Sequence, residues 1–193
     1  FIHSYRNIFF QVFFFEIFYS LRLNQLIPLM KVHNHKSRTD TVPCIFFFLY
    51  KISKFIKQKK IKSIVDVGSG YGRVVNFIST FNKIKSYGIE FDEEVHRHAS
   101  RLKKKNVKLY CGNIFNYDLK NFNSNCFILI DPFKKTKVRD KFLSKFEKIL
   151  PKKDKYLITV NIYKKKLPSS YNLIYSLYGS KIRCLKIYKI NSR

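Results

Sequence analysis

A glycine-rich turn follows a short β-branched segment that ends at Val67 and precedes an apolar stretch that begins at Val74. Glycine has no Cβ, so the backbone can adopt positive φ there and a ligand can approach the chain closely. If a helix starts after the turn, its first N–H groups have no partners within the helix and can bind that ligand. The predicted binding residues of the turn are Gly68, Ser69, Gly70 and Gly72.

Two acids accompany the turn, Asp66 just before the glycines and Glu90 at the end of the next predicted strand. In α/β folds, ligands bind beyond the carboxyl ends of the strands. A carboxylate in the position of Glu90 can accept two hydrogen bonds from the hydroxyls of a ribose. The alternative, that Glu90 is only an exposed acid at a strand end, stays open.

Two further predicted strands also end in polar residues, the third in Asn113-Ile114 and the fourth in Asp131-Pro132-Phe133. The amide oxygen of Asn113 can accept a hydrogen bond. A carboxylate such as Asp131 can orient or remove a proton on an acceptor nitrogen. The simpler alternatives are a turn asparagine at position 113 and a strand end capped by a proline turn at 131–133.

The order of these pieces resembles the class I (Rossmann-like) methyltransferases that use S-adenosylmethionine (SAM), and in particular bacterial members with a GSGxGR loop and an (N/D)PF strand end. Lysine methyltransferases with an Asp-x-Gly-Ser-Gly-x-Gly-Arg segment are similar too. The Asp-x-Gly-x-Gly-x-Gly spacing differs from the Gly-x-Gly-x-x-Gly of dinucleotide sites. The matching pieces within residues 43–190, with the entry segment just before them, are Thr41–Pro43, Gly68–Arg73, Gly88–Glu90 and Asp131–Phe133.

The resemblance implies a role for each site residue. SAM would be the cofactor, with Asp66 organising the site for its methionine part and Glu90 binding its ribose. Phe91, which follows Glu90, would belong to the cofactor site. The adenine would lie near Asn113 and Ile114, although the family more often has aspartate than asparagine at the position of Asn113. The acceptor nitrogen would be held by Asp131 and Pro132, with the ring of Phe133 packed on the acceptor.

The elements that must position these residues alternate between strand and helix patterns, which predicts a parallel sheet. We predict an α/β fold, a Rossmann-like, mostly parallel seven-stranded sheet with helices on both faces and a C-terminal antiparallel hairpin. The predicted methyltransferase domain is 43–193, preceded by an N-terminal helical, aromatic segment and loop at 1–42. Predicted strands are 61–67, 86–90, 107–111, 126–130, 156–163, 172–178 and 181–190; predicted helices after the first segment are 44–58, 74–80, 92–105 and 136–150.

The composition leaves the partner open. The 193 residues include 39 Lys and Arg against 12 Asp and Glu, a net charge of +27. Such a charge favours an acidic or nucleic-acid partner. However, the bases are mostly Lys, and the excess of Lys, Ile, Asn, Phe and Tyr is also what an A/T-rich coding sequence would produce. If the lysine runs 57–62, 103–105, 134–137 and 164–166 form one stripe beside Asp131, the nucleic-acid alternative gains.

Cysteine and histidine spacing predicts no metal site. The four cysteines form no Cys-x-x-Cys pair, and three lie in apolar runs, which favours buried thiols and a cytoplasmic location. His33 and His35 are close in sequence, as are His96 and His98. On a helix, however, residues at i and i+2 point to different faces, so His96 and His98 are poor joint ligands.

The aromatic stretch Ile8–Met30 is interrupted by Glu16, Arg22 and Pro28, among other polar residues. A spanning helix needs about 20 nearly uncharged residues. We therefore predict an amphipathic helix that covers the core or contacts a membrane surface or a partner.

The sequence as a whole predicts a SAM-dependent methyltransferase that methylates a nitrogen, in a protein lysine or another amine. Two alternatives stay open. One is an RNA (rRNA or tRNA) methyltransferase, and the other is a non-catalytic protein that binds SAM or a partner on the same fold.

Overall fold

The structure is a computed structural model that describes residues 2–23, 40–148, 154–160, 167–178 and 184–190. Five α-helices are seen in these ranges: α1 (Ile2–Leu23), α2 (Phe46–Gln58), α3 (Arg73–Asn82), α4 (Glu93–Leu102) and α5 (Thr136–Lys148). Seven strands accompany them: β1 (Ser63–Val67), β2 (Lys85–Glu90), β3 (Val107–Cys111), β4 (Cys126–Ile130), β5 (Lys155–Val160), β6 (Tyr171–Tyr178) and β7 (Cys184–Ile190).

The strands form one sheet in the order β3-β2-β1-β4-β5-β7-β6. Strands β1 to β5 are parallel, whereas β7 lies antiparallel between β5 and β6. The predicted fold class, including the C-terminal antiparallel hairpin, is confirmed. The turn predicted at Gly179-Ser180 lies outside the described residues.

Side chains that alternate along each strand fill two hydrophobic clusters, one on each face of the sheet. Ile64 and Ile128 belong to the cluster that also contains the buried residues of α2 and α3. Val65 and Phe127 belong to the opposite cluster, which contains Phe142 and Phe146 of α5. Because both faces are covered, β1, β4 and β5 consist of nearly unbroken apolar residues.

Helix α1 packs on the first of these clusters. Val12, Phe15 and Tyr19 are partly buried against it, and Leu23 is buried within it. The Tyr19 ring lies 4.9 Å from that of Phe77 of α3, measured between centroids. The predicted covering of the core by the N-terminal segment is therefore observed, while the domain boundary at residue 42 stays a prediction.

Most predicted elements are present, but their ends differ by a few residues. Helix α4 ends at Leu102 rather than Lys105, because Asn76 of α3 accepts a hydrogen bond from Lys104 N (2.9 Å) and the chain turns there into β3. Two short 3-10 helices between β3 and β4, Ile114–Asn116 and Leu119–Phe122, were not expected from the sequence.

Candidate functional site

The glycine turn lies at the carboxyl end of β1, where the strand order reverses between β2 and β4. In parallel sheets this reversal opens a crevice that ligands occupy. Gly68 N and Ser69 N both donate to Ile89 O of β2, over 2.8 and 3.1 Å. These bonds fix the turn to the neighbouring strand before α3 begins at Arg73.

Gly68 and Gly70 are required by the backbone and by close neighbours. Their φ angles are +75° and +52°, in the region that favours glycine. A Cβ added to Gly68 would lie 2.6 Å from Pro132 Cβ, and one added to Gly70 would lie 2.8 Å from Thr41 Cγ2. The turn therefore contacts both the Asp131–Phe133 strand end and the predicted entry segment.

The Glu90 carboxylate binds the turn itself. Its Oε2 accepts a hydrogen bond from Gly70 N, and its Oε1 accepts one from Asp92 N, both over 2.8 Å. Each carboxylate oxygen can accept a second hydrogen bond. Glu90 is therefore fixed at the carboxyl end of β2, where it holds the glycine turn, a role that the sequence did not suggest.

Asp66 is the most unusual ionisable group of the crevice. It is 1% exposed on the central strand β1, and neither of its carboxylate oxygens has a hydrogen-bond partner in the described residues. Burial, together with the nearby Glu90 carboxylate, raises the pKa of Asp66 well above its usual value. The buried Ser69 Oγ also has no partner there. A buried polar atom without a partner is costly, so these atoms fit a ligand or ordered water.

The third strand end brings Asn113 and Ile114 to the same edge. Ile114 is buried, and the Asn113 side chain accepts a hydrogen bond from Phe115 N over 3.0 Å. This local bond uses one lone pair of the amide oxygen, as the alternative of a simple turn asparagine would. The second lone pair remains. Lys145 of α5 donates to Phe115 O (3.0 Å) and Tyr117 O (2.6 Å), which ties this loop to α5.

Asp131 lies at the carboxyl end of β4, with a φ of +46°, which is uncommon for a residue other than glycine. It is partly open to solvent; its partial burial raises the pKa of the carboxyl, and the Arg139 guanidinium opposes that shift. Phe133 is half-buried, with its ring 5.4 Å from that of Phe142. By contrast, Phe91 is 54% exposed at the end of β2.

An ion pair that sequence analysis missed connects the turn to α1. Arg73 Nη1 lies 3.0 Å from Glu16 Oε2 and donates to Cys44 O over 2.9 Å. Glu16 Oε1 also accepts from Phe46 N, the first residue of α2. The only hint in the sequence was a single acid within the apolar stretch Ile8–Met30. In the fold, that acid is turned toward the glycine turn.

Charge is distributed unevenly between the two edges of the sheet. The lysines of 57–62 and 103–105 precede β1 and β3, so they lie at the amino edge, opposite the crevice. Only 134–137 follows β4 and lies near Asp131, while 164–166 is outside the described residues. In the described residues these runs therefore do not form a single basic stripe beside Asp131, the arrangement that would have favoured the nucleic-acid alternative.

The acids have the opposite distribution. Several of the twelve lie at the carboxyl edge, namely Glu90, Asp92, Glu93, Glu94 and Asp131. Together with the lysines of 134–137, they give this edge of the sheet charges of both signs. In the described ranges, these acids included, no group of three or more His, Cys, Asp or Glu residues could hold a metal ion. The pair His33 and His35 lies outside those ranges.

Solved structures share this fold at low sequence identity. An RNA methyltransferase from Salinibacter ruber, in complex with S-adenosyl-L-homocysteine, is 15% identical; the match covers 79% of this chain and 95% of that one, with a TM-score of 0.61. The O-methyltransferase TomG from Streptomyces achromogenes, in complex with SAM, is 9% identical, with 78% and 82% covered and a TM-score of 0.59. No curated protein sequence matches the chain.

The family comparison covers most of the chain. The model of the family described as "Histone methylation protein DOT1" matches residues 31–167, which include the glycine turn and every site residue named above except Glu16. One conclusion follows from the order of the seven strands, from the glycine turn with its two acids, and from this match. The chain belongs to the DOT1 histone methylation protein family and has the class I methyltransferase fold.

Proposed function

We propose that this protein is a SAM-dependent methyltransferase that methylates a protein lysine. One observation carries the proposal: the glycine turn and the Asp131–Phe133 strand end are in direct contact, since Gly68 leaves no room for a Cβ beside Pro132. A cofactor on the turn and an acceptor at Asp131 would therefore be neighbours. Holding two reactants in such proximity supplies much of the rate of a transfer reaction.

The crevice fits SAM through its donor and acceptor atoms. Glu90 keeps a free lone pair on each carboxylate oxygen for the ribose hydroxyls. The unpartnered Asp66 carboxylate suits the positively charged methionine part, because a cation favours its ionised form. When bound, SAM would supply a methyl group already activated by the sulfonium. The described residues would bind and orient it.

Three observations support a lysine acceptor. Asp131 offers a carboxylate that would accept a hydrogen bond from the acceptor N–H and so orient its lone pair. The acids at the carboxyl edge would pair locally with the ammonium group of a substrate that has entered the crevice. The family description names histone methylation, and histones are proteins. We propose in addition that the protein is of the bacterial GSGxGR and (N/D)PF type, on the residues Gly68–Arg73 and Asp131–Phe133, and that it is cytoplasmic.

The test is to incubate the full chain with tritium-labelled SAM and three separate acceptor pools: core histones, total cell protein freed of RNA, and purified RNA. We expect label in protein, recovered as methyl-lysine after acid hydrolysis. Label in RNA alone would support the RNA alternative, for which the Salinibacter structure is the specific precedent. SAM binding without label in any of the three pools, or in a small-molecule cell extract added as a fourth, would support a non-catalytic SAM-binding protein. Failure to bind SAM would overturn the proposal as a whole.

Matched variants separate cofactor binding from turnover. Glu90→Ala should raise the Kd for SAM about tenfold or more, because it removes the ribose acceptor and releases Gly70 N. Glu93→Gln, on the exposed side of α4, is its control. Asp131→Asn should leave that Kd within about twofold and lower turnover about 100-fold, a typical value for a positioned acid or base. Asp154→Asn, at the amino edge, is its control. Equal loss of SAM binding from Glu90→Ala and Asp131→Asn would contradict this division of roles.

A further inference from the structure

Helix α1 exposes a continuous apolar stripe on the side that faces away from the sheet. Its six large side chains are between 42% and 63% exposed. They follow the spacing i, i+3, i+4, i+7, i+8, i+11, which places them on one helix face. This outer stripe consists of Phe10, Phe13, Phe14, Ile17, Phe18 and Leu21. Isolated exposed apolar residues are normal, but a contiguous patch marks an interaction surface.

The opposite face of α1 already has its partners. Phe15 contacts Phe47 and Tyr50 of α2, with ring centroids 5.8 and 4.9 Å apart. Glu16 is turned inward to Arg73. The outer stripe is therefore not needed to hold α1 on the sheet. A helix that is apolar on both faces must bury the second face elsewhere.

The charged side chains beside α1, on α2 and in the last turn of α1 itself, are positive. Lys51 and Lys54 of α2 lie over the rings of Phe47 and Tyr50, 5.1 and 4.7 Å from the ring centroids, beside α1. Arg22 stands in the last turn of α1, 5.8 Å from the Phe81 ring. Glu16, which points inward, is the only acid among residues 10–23. The exposed side of this segment thus combines aromatic rings, flanking cations and no acid.

We propose that the outer stripe of α1 is a docking surface for the headgroup region of an anionic lipid membrane. Helices that bind the membrane interface bury an apolar face at the boundary of headgroups and acyl chains, while flanking Lys and Arg attract anionic lipids. The net charge of +27 argues against a second copy of this chain, because two copies would bring like charges together. In the described ranges, no helix is long and apolar enough to cross a membrane.

The test is flotation of the full chain with vesicles of phosphatidylcholine alone or with about 30% phosphatidylserine, a content that makes the surface clearly anionic. We expect binding to the anionic vesicles only, weakened by added salt. The double variant Phe14→Ser with Phe18→Ser should lower the bound fraction about tenfold or more, because it removes two rings from the membrane. The matched control replaces an exposed apolar pair on β6, Leu173→Ser with Ile174→Ser, and should bind as the parent does.

Several outcomes would overturn the proposal. These are no binding to either vesicle, equal binding to neutral vesicles, or an equal loss in the β6 control. Self-association in the absence of lipid, measured by sedimentation velocity and abolished by the α1 double variant, would assign the stripe to a second copy instead. All the exchanged side chains are exposed, so thermal unfolding of each variant should match that of the parent, which separates lost docking from lost folding.

Discussion

The ion pair between Glu16 and Arg73 makes a sharp prediction, because it joins the N-terminal helix to the start of α3, directly after the glycine turn. Glu16→Gln is the informative change. Glutamine keeps an oxygen that can accept from Phe46 N, but it removes the charge that lies 3.0 Å from Arg73 Nη1. The variant therefore tests the charge pair rather than the start of α2.

The expected cost follows from the exposure of the two side chains, 10% for Arg73 and 28% for Glu16. Breaking a fully buried pair costs about 3–5 kcal/mol, whereas an exposed pair contributes about 0–1 kcal/mol. Arg73 retains the carbonyl of Cys44 and the ring of Phe46, 4.0 Å from its guanidinium carbon. We therefore expect Glu16→Gln to lower the free energy of unfolding by about 2 kcal/mol, a fall in Tm of about 4–8 °C for a chain of this size.

The assay is urea unfolding of the parent, Glu16→Gln, Arg73→Gln and the double variant. If the pair is real, the double variant should be more stable than the sum of the single losses predicts, by about 1–2 kcal/mol. Glu93→Gln is the control, since Glu93 pairs with Arg97 on the exposed face of α4 and should cost no more than about 0.5 kcal/mol. Additive losses, or equal losses from Glu16→Gln and Glu93→Gln, would refute the reasoning. Because Arg73 directly follows Gly72, the Kd for SAM should rise in Glu16→Gln as well.

Three other predictions follow from the structure. Because burial raises the pKa of Asp66 well above 3.8, the fold favours its protonated form, and stability is lost as pH rises from 3.8 toward that raised pKa. Asp66→Asn should therefore be more stable than the parent at pH 7 in a denaturant titration, yet bind SAM more weakly by calorimetry. Burial lowers the pKa of Lys155 from 10.5 to about 8, so stability falls as pH drops through this interval. Lys155→Met should remove this pH dependence of stability in thermal unfolding between pH 8 and 10.5, and an unchanged dependence would exclude Lys155 as its source. Gly68→Ala should lower the free energy of unfolding by about 2 kcal/mol, through its positive φ and its clash with Pro132. Adding Pro132→Gly should restore part of that loss in urea unfolding, and no recovery would place the cost in the backbone alone.

Sequence patterns predicted the fold well because the physical signals were local. Apolar runs such as Cys126–Ile130 predict strands covered on both faces, and the glycine turn between strand and helix predicts the crevice. The ends of elements were less certain. Helix α4 stops early because Asn76, from another helix, binds the backbone at Lys104, and such a long-range bond leaves no mark near residue 104.

For the candidate site, the sequence predicted which residues lie at the strand ends but not the bonds that they make. Glu90, Asp131 and the glycines could be recognised because their types follow strand ends in a known order. Their partners could not, since the bond from Gly70 N to Glu90 joins positions twenty residues apart. The burial that raises the pKa of Asp66 likewise arises only when the strands and loops around it come together.

By itself, the sequence determined which elements form and where their polar ends lie, because strand, turn and helix preferences act over a few residues. It could not assign a direction to Glu16 within an apolar helix, or an edge of the sheet to each lysine run. Those features depend on which face of α1 packs and on the parallel order of the strands. Only the tertiary structure decided that the acid of α1 pairs with Arg73, next to the glycine turn, while Phe10, Phe13, Phe14 and Phe18 face outward. The reason is that only packing separates the two faces of a helix that is apolar all round.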